Sequence, residues 1–369
     1  MKINHTISEV IVLRSIACLS IVFLHSIGIA LSGSNMGTWT TVFFDSLHVL
    51  LYFGTPMFIF ISEFLVAYSY RNKSLPTNFL RKRFNFIFLP FLCMALFYTI
   101  PHANTLENGA VKLFLNAVIG DFHGYFVLII FQFYLIHTIF HKHLKAWNPK
   151  VVLVVAFFIN AIYLAFFNFT PPMNIPAGDY IWNRYYWVPF LGWVFYFALG
   201  YYCGFYFEAF IEQLRKYKRL VLISPLISSV LLLAFYHSEM ISVHSSKRID
   251  LLIHTTIMCF FLFYVAHKMP KIPNLLHTVN QYSFSIYLLH MFFLSFIDFI
   301  YPKFPIFTGS VYVLFLFTFS TLGSIFMSYY INKWKYGKYI IGRVNTPMEN
   351  TTVTNKNTKL KNKKAYTYS

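Results

Sequence analysis

Residues 12–26 read VLRSIACLSIVFLHS. Apart from Arg14 and His25, this is the composition of a helix immersed in lipid. A charged side chain within a bilayer span costs several kcal/mol unless it faces a partner or a polar cavity. The spacing of the two residues matters for that reason. Eleven positions at 100° each amount to three turns plus about 20°, so both side chains leave the same helix face. They stand roughly 16 Å apart along the axis. Two such residues on one stripe imply a polar path along that face. Either residue alone also admits a plainer reading. Arg14 can snorkel to headgroups, and His25 can bond a neighbouring helix as a neutral imidazole.

The rest of the chain has the same character. Of its 369 residues 57% are hydrophobic and 11% are charged, where a soluble domain carries about a quarter charged residues. Apolar runs of about 18 residues or more recur from end to end, each long enough to cross a bilayer as a helix. The fold expected is therefore an all-α, polytopic membrane domain over residues 1–345. The first run is too long for a signal-peptide core and reads as a retained helix. Residues 346–369, which contain NKNTKLKNKKAYTYS, form a polar, lysine-rich tail without periodicity. That tail is expected to be disordered and cytoplasmic, near anionic lipid headgroups. Cys18, Cys93, Cys203 and Cys259 all fall in apolar runs with no CxxC spacing, which argues against disulfides and a metal site.

Ten spans are expected, at about 7–31, 47–70, 84–101, 123–140, 150–169, 187–207, 220–236, 249–267, 282–300 and 310–331. With these spans, 24 of the 30 Lys and Arg fall on the side that holds both termini and five on the other, with Arg14 inside a span. The positive-inside rule then places both termini in the cytoplasm. The net charge of +18 is accounted for by this asymmetry, so nucleic acid is not an expected partner. Membrane lipids are.

Several stretches together resemble one family. LRSIACLSIVFLH, with Arg14 and His25 separated by ten residues, resembles the first helix of the membrane-bound acyltransferase 3 family. FGTPMFIFISEFL, RKRFNFIFLPFL and YSFSIYLLH are similar to that family's second-helix motif, its basic entry to the third helix and its Ser-x-Tyr-x-x-His run. GTPMFIFIS, HGYFVLIIFQF, GWVFYFALGYYCG and FSIYLLH look most like the IcaC-type branch, which accompanies the poly-N-acetylglucosamine intercellular adhesin. Members of that branch have been described both as exporters and as O-succinyltransferases. Many family members carry Gly-Val-Asp in the second helix. This chain has Gly54, Thr55 and Pro56, so any role of that aspartate does not carry over. Ser62, Glu63 and Phe64 stand where the family has Ser-Gly-Phe.

The resemblance implies transfer of an acyl group, acetyl or succinyl, from a cytoplasmic acyl-CoA to a hydroxyl of an extracytoplasmic or lipid-linked polysaccharide. No bound cofactor is implied. The implied location is the bacterial plasma membrane, with a polysaccharide synthase complex as a further implied partner. Arg14 suits the donor, because its fixed fork of N–H groups matches phosphate oxygens and stays charged in any environment. Arg81 and Arg83 extend the donor site, and ordinary positive-inside anchoring is the alternative for them and for Lys82. His25 suits the acceptor as a general base near neutral pH. Direct attack and a covalent acyl-enzyme both remain open. The absence of a GxSxG elbow favours direct attack.

Glu63 is expected near the depth of Arg14, as its ion-pair partner, since a buried carboxylate needs one. Ser283, Tyr287 and His290 share a helix face by their spacing, either lining the acyl path or forming an interhelical hydrogen-bond cluster. His123, Tyr125 and Trp187 are candidates for the acceptor side, where aromatic rings beside polar groups receive sugars; the bilayer interface alone also attracts such residues. His48, His102 and His254 read as structural. Gly200 and Gly204 form a small-xxx-small step suited to close helix packing.

Two other function classes compete. A polysaccharide exporter needs a wide polar path, whereas the intramembrane polar residues are few and concentrated in the first, second and ninth spans. A small-solute transporter predicts broken helices in corresponding halves, and no such repeat is found.

Overall fold

The computed structural model describes residues 7–33, 36–241 and 243–344. The basic tail expected over 346–369 lies outside them. The described residues are helical, with no strand among them. The main helices are α1 (Ser8–Gly33), α2 (Thr38–Tyr70, with a short break at Tyr52 and Phe53), α3 (Phe79–His102) and α4 (Leu106–Ala146). They are followed by α5 (Pro149–Phe169), α6 (Gly178–Trp187), α7 (Val194–Phe205) and α8 (Phe207–Lys216). The chain then runs through α9 (Lys218–His237), α10 (Leu251–Lys268), α11 (Asn274–Lys303) and α12 (Gly309–Lys333) to the single turn α13 (Gly337–Ile340).

Among the described residues, nine helices are long and apolar enough to span a bilayer, or ten if the bent pair α7–α8 counts as one. That pair is where the expected sixth span, 187–207, differs most from the structure. Its helix runs only from Val194 to Phe205, and the chain then turns by 98° at Tyr206. Beyond the turn, Glu208, Glu212, Arg215 and Lys216 make α8 amphipathic, so it suits a bilayer surface better than its interior.

α1 and α2 lie at the centre. α1 packs against α2, α10, α11 and α12, which buries Val12, Leu13, Ala17, Val22 and Ile27 completely. α7 lies against α2 along Gly200 and Gly204. A Cβ at either glycine would collide with the carbonyl oxygen of Phe60 or Phe64, so only glycine permits this approach. α5 and α9 are peripheral. Val151, Val155, Ile162, Leu222, Leu226 and Val230 are all exposed on them, as lipid-facing side chains should be in a membrane protein.

Two irregularities shape the interior. Pro90 has no N–H to close the helical bond to the carbonyl four residues back, and a π turn over Phe84–Phe88 precedes it in α3. In α4 a second π turn, Leu115–Ile119, ends at Gly120 with φ +75°. A side chain there would be strained and would press on Tyr125. This turn swings residues 121–125 inward before α4 resumes at Phe126.

Candidate active site

Two cavities lie along α1. One, of about 460 Å3, sits at the His25 end, and the other, of about 470 Å3, at the Arg14 end. Phe126 and Tyr287 line both, with ring centroids 6.0 Å apart. The polar path expected along the α1 face is thus two cavities back to back, with these two rings in the common wall.

At the His25 end, three imidazoles gather, from α1, from α11 and from the 121–125 turn. The rings of His25 and His290 are 5.3 Å apart, and those of His123 and His290 are 5.2 Å apart. Nδ1 of His290 lies 2.8 Å from the carbonyl oxygen of Tyr287 and 3.1 Å from that of Ile286. Carbonyls only accept, so Nδ1 carries the proton. The Nε2 lone pair of His290 is buried without a partner. Nε2 of His123 donates to the Leu288 carbonyl at 3.2 Å, and the Tyr287 hydroxyl donates to the His123 carbonyl at 2.5 Å. α11 therefore holds the residue 123 turn by side chain and by backbone. His25 itself has no hydrogen bond among the described residues, and its half-buried ring faces the cavity.

The other walls of this cavity come from the 121–125 turn within α4, from α2, from α6 and from the loop before α10. Tyr125, Trp187, Arg184 and Asp121 line it, as do His48 and Lys247. Asp121 bonds Lys112 at 2.7 Å and lies 3.5 Å from Arg184. Arg184 also donates to the Gly120 carbonyl at 2.9 Å. Asp45 and His244 are 3.2 Å apart, and the Tyr52 hydroxyl lies 2.6 Å from Nδ1 of His244. His48 stacks edge-on to His244 at 4.7 Å. A further cavity of about 340 Å3 touches His25 and His48 beside Gly28, Ser32 and Asp298.

At the Arg14 end, four cations line the cavity: Arg14, Lys82, Arg83 and Arg343, with Ser62 and Ser283 among them. None of its lining residues is a carboxylate. Arg83 lies over the rings of Phe79 and Tyr134, 5.1 and 5.0 Å from their centroids. Arg343 reaches the cavity because the chain after α12 folds back beneath α3 and α11. Tyr339 stacks on Phe86 at 5.6 Å, and the Ser285 hydroxyl bonds the Ile341 carbonyl at 2.9 Å. An anion with several phosphate oxygens is what a site of this charge can hold.

Three expectations need correction. Glu63 does not pair with Arg14; its carboxylate takes Nδ1 of His137, 2.5 Å away, with both side chains buried. Glu63 is next to Ser62, which faces the cavity, but one helical position is a 100° turn, and that turn aims Glu63 at α4. No carboxylate lies within ion-pair distance of Arg14 among the described residues. Arg81 is exposed and does not line the cavity. Two positions from Arg83 it lies some 200° around the helix, and Lys82 and Arg343 occupy the cavity instead. His48, read as structural, borders both cavities that touch His25. His254 is buried and bonded to Ser228 at 2.9 Å, and His102 is exposed.

The remaining candidates lie where their helix faces place them. Ser283 is at the Arg14 cavity, Tyr287 in the common wall and His290 against His25. Sequence reasoning missed His48, His244, Lys247 and Arg343 as site residues. For Lys247 a signal existed, since it is one of only five cations on the charge-poor side. Arg343 gave none, because its place depends on a chain reversal.

A family model described as "Acyltransferase domain" matches residues 7–329. The Bacillus subtilis (strain 168) protein named "Putative membrane-bound acyltransferase YfiQ" is 37% identical over 354 residues, covering 93% of this chain and 96% of that one. A Staphylococcus epidermidis protein named "Probable poly-beta-1,6-N-acetyl-D-glucosamine export protein" is 29% identical over 290 residues, covering 76% of this chain and 79% of its own. A Staphylococcus aureus (strain MSSA476) protein of the same name is 27% identical over 292 residues, covering 76% and 81%. No solved structure gives a significant match.

Proposed function

This chain belongs to the acyltransferase 3 family and is a multi-pass bacterial membrane protein, and on that premise we propose that it carries an acyl group across the membrane from acyl-CoA to a glycan hydroxyl. The observation that carries this reading is the pair of cavities on one face of α1. One is lined by cations without a carboxylate, and the other by an imidazole that makes no hydrogen bond among the described residues.

On this reading the Arg14 end faces the cytoplasm, in line with the charge asymmetry of the connecting segments. Arg14, Lys82, Arg83 and Arg343 grip the phosphates of acyl-CoA. The thioester reaches the wall formed by Phe126 and Tyr287. A hydroxyl of an extracytoplasmic or lipid-linked polysaccharide enters from the His25 end, among His123, Tyr125 and Trp187. His25 takes its proton as the oxygen attacks the thioester carbon. The new C–O bond forms, the C–S bond breaks, and the coenzyme leaves as a thiolate that takes up a proton. His290 is a positioning residue. Its tautomer is fixed by two carbonyls, and its free Nε2 supports the imidazolium that forms on His25. Acetyl and succinyl are both suitable acyl groups. Glu63 holds His137 and does not touch the reaction.

The names of the staphylococcal relatives favour polymer export as a second reading. A polymer path would have to pass the Phe126–Tyr287 wall. Mass spectrometry of surface glycan from cells making wild type or His25→Ala separates the two. Lost acyl groups on normally exported polymer support transfer. Polymer held inside the cell with its acyl groups intact supports export.

A further inference from the structure

Lys247 is a buried cation that the mechanism above does not use. The residue is 3% exposed, and its ammonium lies over the ring of Trp187 at 4.1 Å, with Tyr125 at 5.1 Å and Trp193 at 5.7 Å. Its polar neighbours are the Tyr125 hydroxyl at 3.2 Å and the Ser245 hydroxyl at 3.4 Å. No carboxylate pairs with it among the described residues. The acid that lines the cavity wall, Asp121, is already held by Lys112 and Arg184. Arg184 faces the same cavity, 4.8 Å over Trp187, and its Nε is buried without a partner.

The backbone around Lys247 is fixed from several directions. Its carbonyl accepts from the Tyr186 hydroxyl at 2.7 Å and from Asn168 at 3.2 Å, and Asn168 also accepts from the Ile249 N–H at 3.0 Å. The next residue, Arg248, is completely buried and spends its guanidinium on Asp250 and on the carbonyls of Ile241 and Val243. One cation of this dipeptide is thus consumed by the loop, and the other is presented to the cavity. Burial, reinforced by the nearby positive Arg184, pushes the Lys247 ammonium well below the usual lysine range. A buried charge left without a counter-charge is destabilising.

We propose that Lys247 and Arg184 form an anion-binding subsite in the His25 cavity, which takes a carboxylate or phosphate brought in by a substrate. The proposal deepens the acyltransferase reading and rests on it for the source of the anion. Two sources present this chemistry: a dicarboxylic acyl group, whose distal carboxylate would reach past His25, and an acceptor that carries an acidic group.

The binding claim is tested without catalysis. The purified full chain in detergent is titrated with succinate and with inorganic phosphate at constant ionic strength, read by the fluorescence of the tryptophans beside Lys247. A saturable response is expected. Its Kd should rise at least tenfold in Lys247→Met and in Arg184→Gln and stay within threefold in Lys247→Arg, with thermal unfolding as the folding check. Because two separate positions are tested, the result does not hang on one variant's folding. A wild type without a saturable response, or neutral variants that bind as wild type does, overturns the proposal. Acyl transfer from succinyl-CoA and acetyl-CoA then identifies the source. A succinyl-to-acetyl preference that falls at least tenfold in Lys247→Met assigns the anion to the acyl group. An equal loss with both donors, through a raised KM for the acceptor, assigns it to the acceptor. Anion binding by a wild type that transfers no acyl group keeps the subsite and counts against the acyltransferase reading.

Discussion

Arg14 and His25 both project from α1, yet they differ in what surrounds them. Arg14 stands with three other cations and no acid, so its charge is available to a ligand. Arginine's fork makes that availability specific. Arg14→Lys should raise the KM for acyl-CoA about tenfold, and Arg14→Gln about a hundredfold, in line with roughly 1.5–3 kcal/mol for a charged hydrogen bond. Steady-state kinetics with varied donor reads this directly, and an unchanged KM removes Arg14 from the donor site. Glu63 is paired with His137 instead. Glu63→Leu strands His137, which should cost about 3–5 kcal/mol of stability. The double variant Glu63→Leu/His137→Leu should recover most of that, because two apolar side chains replace a buried pair. Thermal unfolding in detergent checks both, and a double variant as unstable as the single one contradicts the pair.

At the scale of helices, the spacing of Arg14 and His25 was legible because helical periodicity is local. The facing of Ser283, Tyr287 and His290 was legible for the same reason. The partner of Glu63 was not, because it depends on which helix lies beside α2, and His137 is 74 residues away. The bend at Tyr206 was hidden by a similar cause. Val194–Phe205 and its flanks are apolar enough to read as a full span, and the amphipathic face of α8 begins only after the turn. Gly200 and Gly204 carried their own message. Gly200→Val and Gly204→Val should each destabilise the protein by about 1–3 kcal/mol, seen as a lowered unfolding temperature. Gly37→Ala, where a Cβ meets nothing within 4 Å, should change stability by less than about 0.5 kcal/mol. Tyr287 acts as an element of the common wall. Tyr287→Ala should open that wall and raise acyl-CoA hydrolysis in the absence of acceptor, measured as released thiol. An unchanged rate of thiol release contradicts a wall that separates donor from water.

The whole molecule is a central pair of helices, α1 and α2, with cavities at opposite ends and a lipid-facing rim. The proposed orientation puts the basic cavity inside the cell. An impermeant maleimide should therefore label Phe304→Cys in intact cells and Lys145→Cys only after permeabilisation; the reverse pattern would invert the reaction's direction. In the proposed reaction donor and acceptor meet from opposite faces along α1. Proteoliposomes with radiolabelled acyl-CoA on one side and an N-acetylglucosamine oligomer on the other test it most directly. Label is expected on the oligomer only with the two substrates on opposite sides, and at least a hundredfold less in His25→Ala. Equal labelling with both substrates on one side, or full activity without His25, would contradict it.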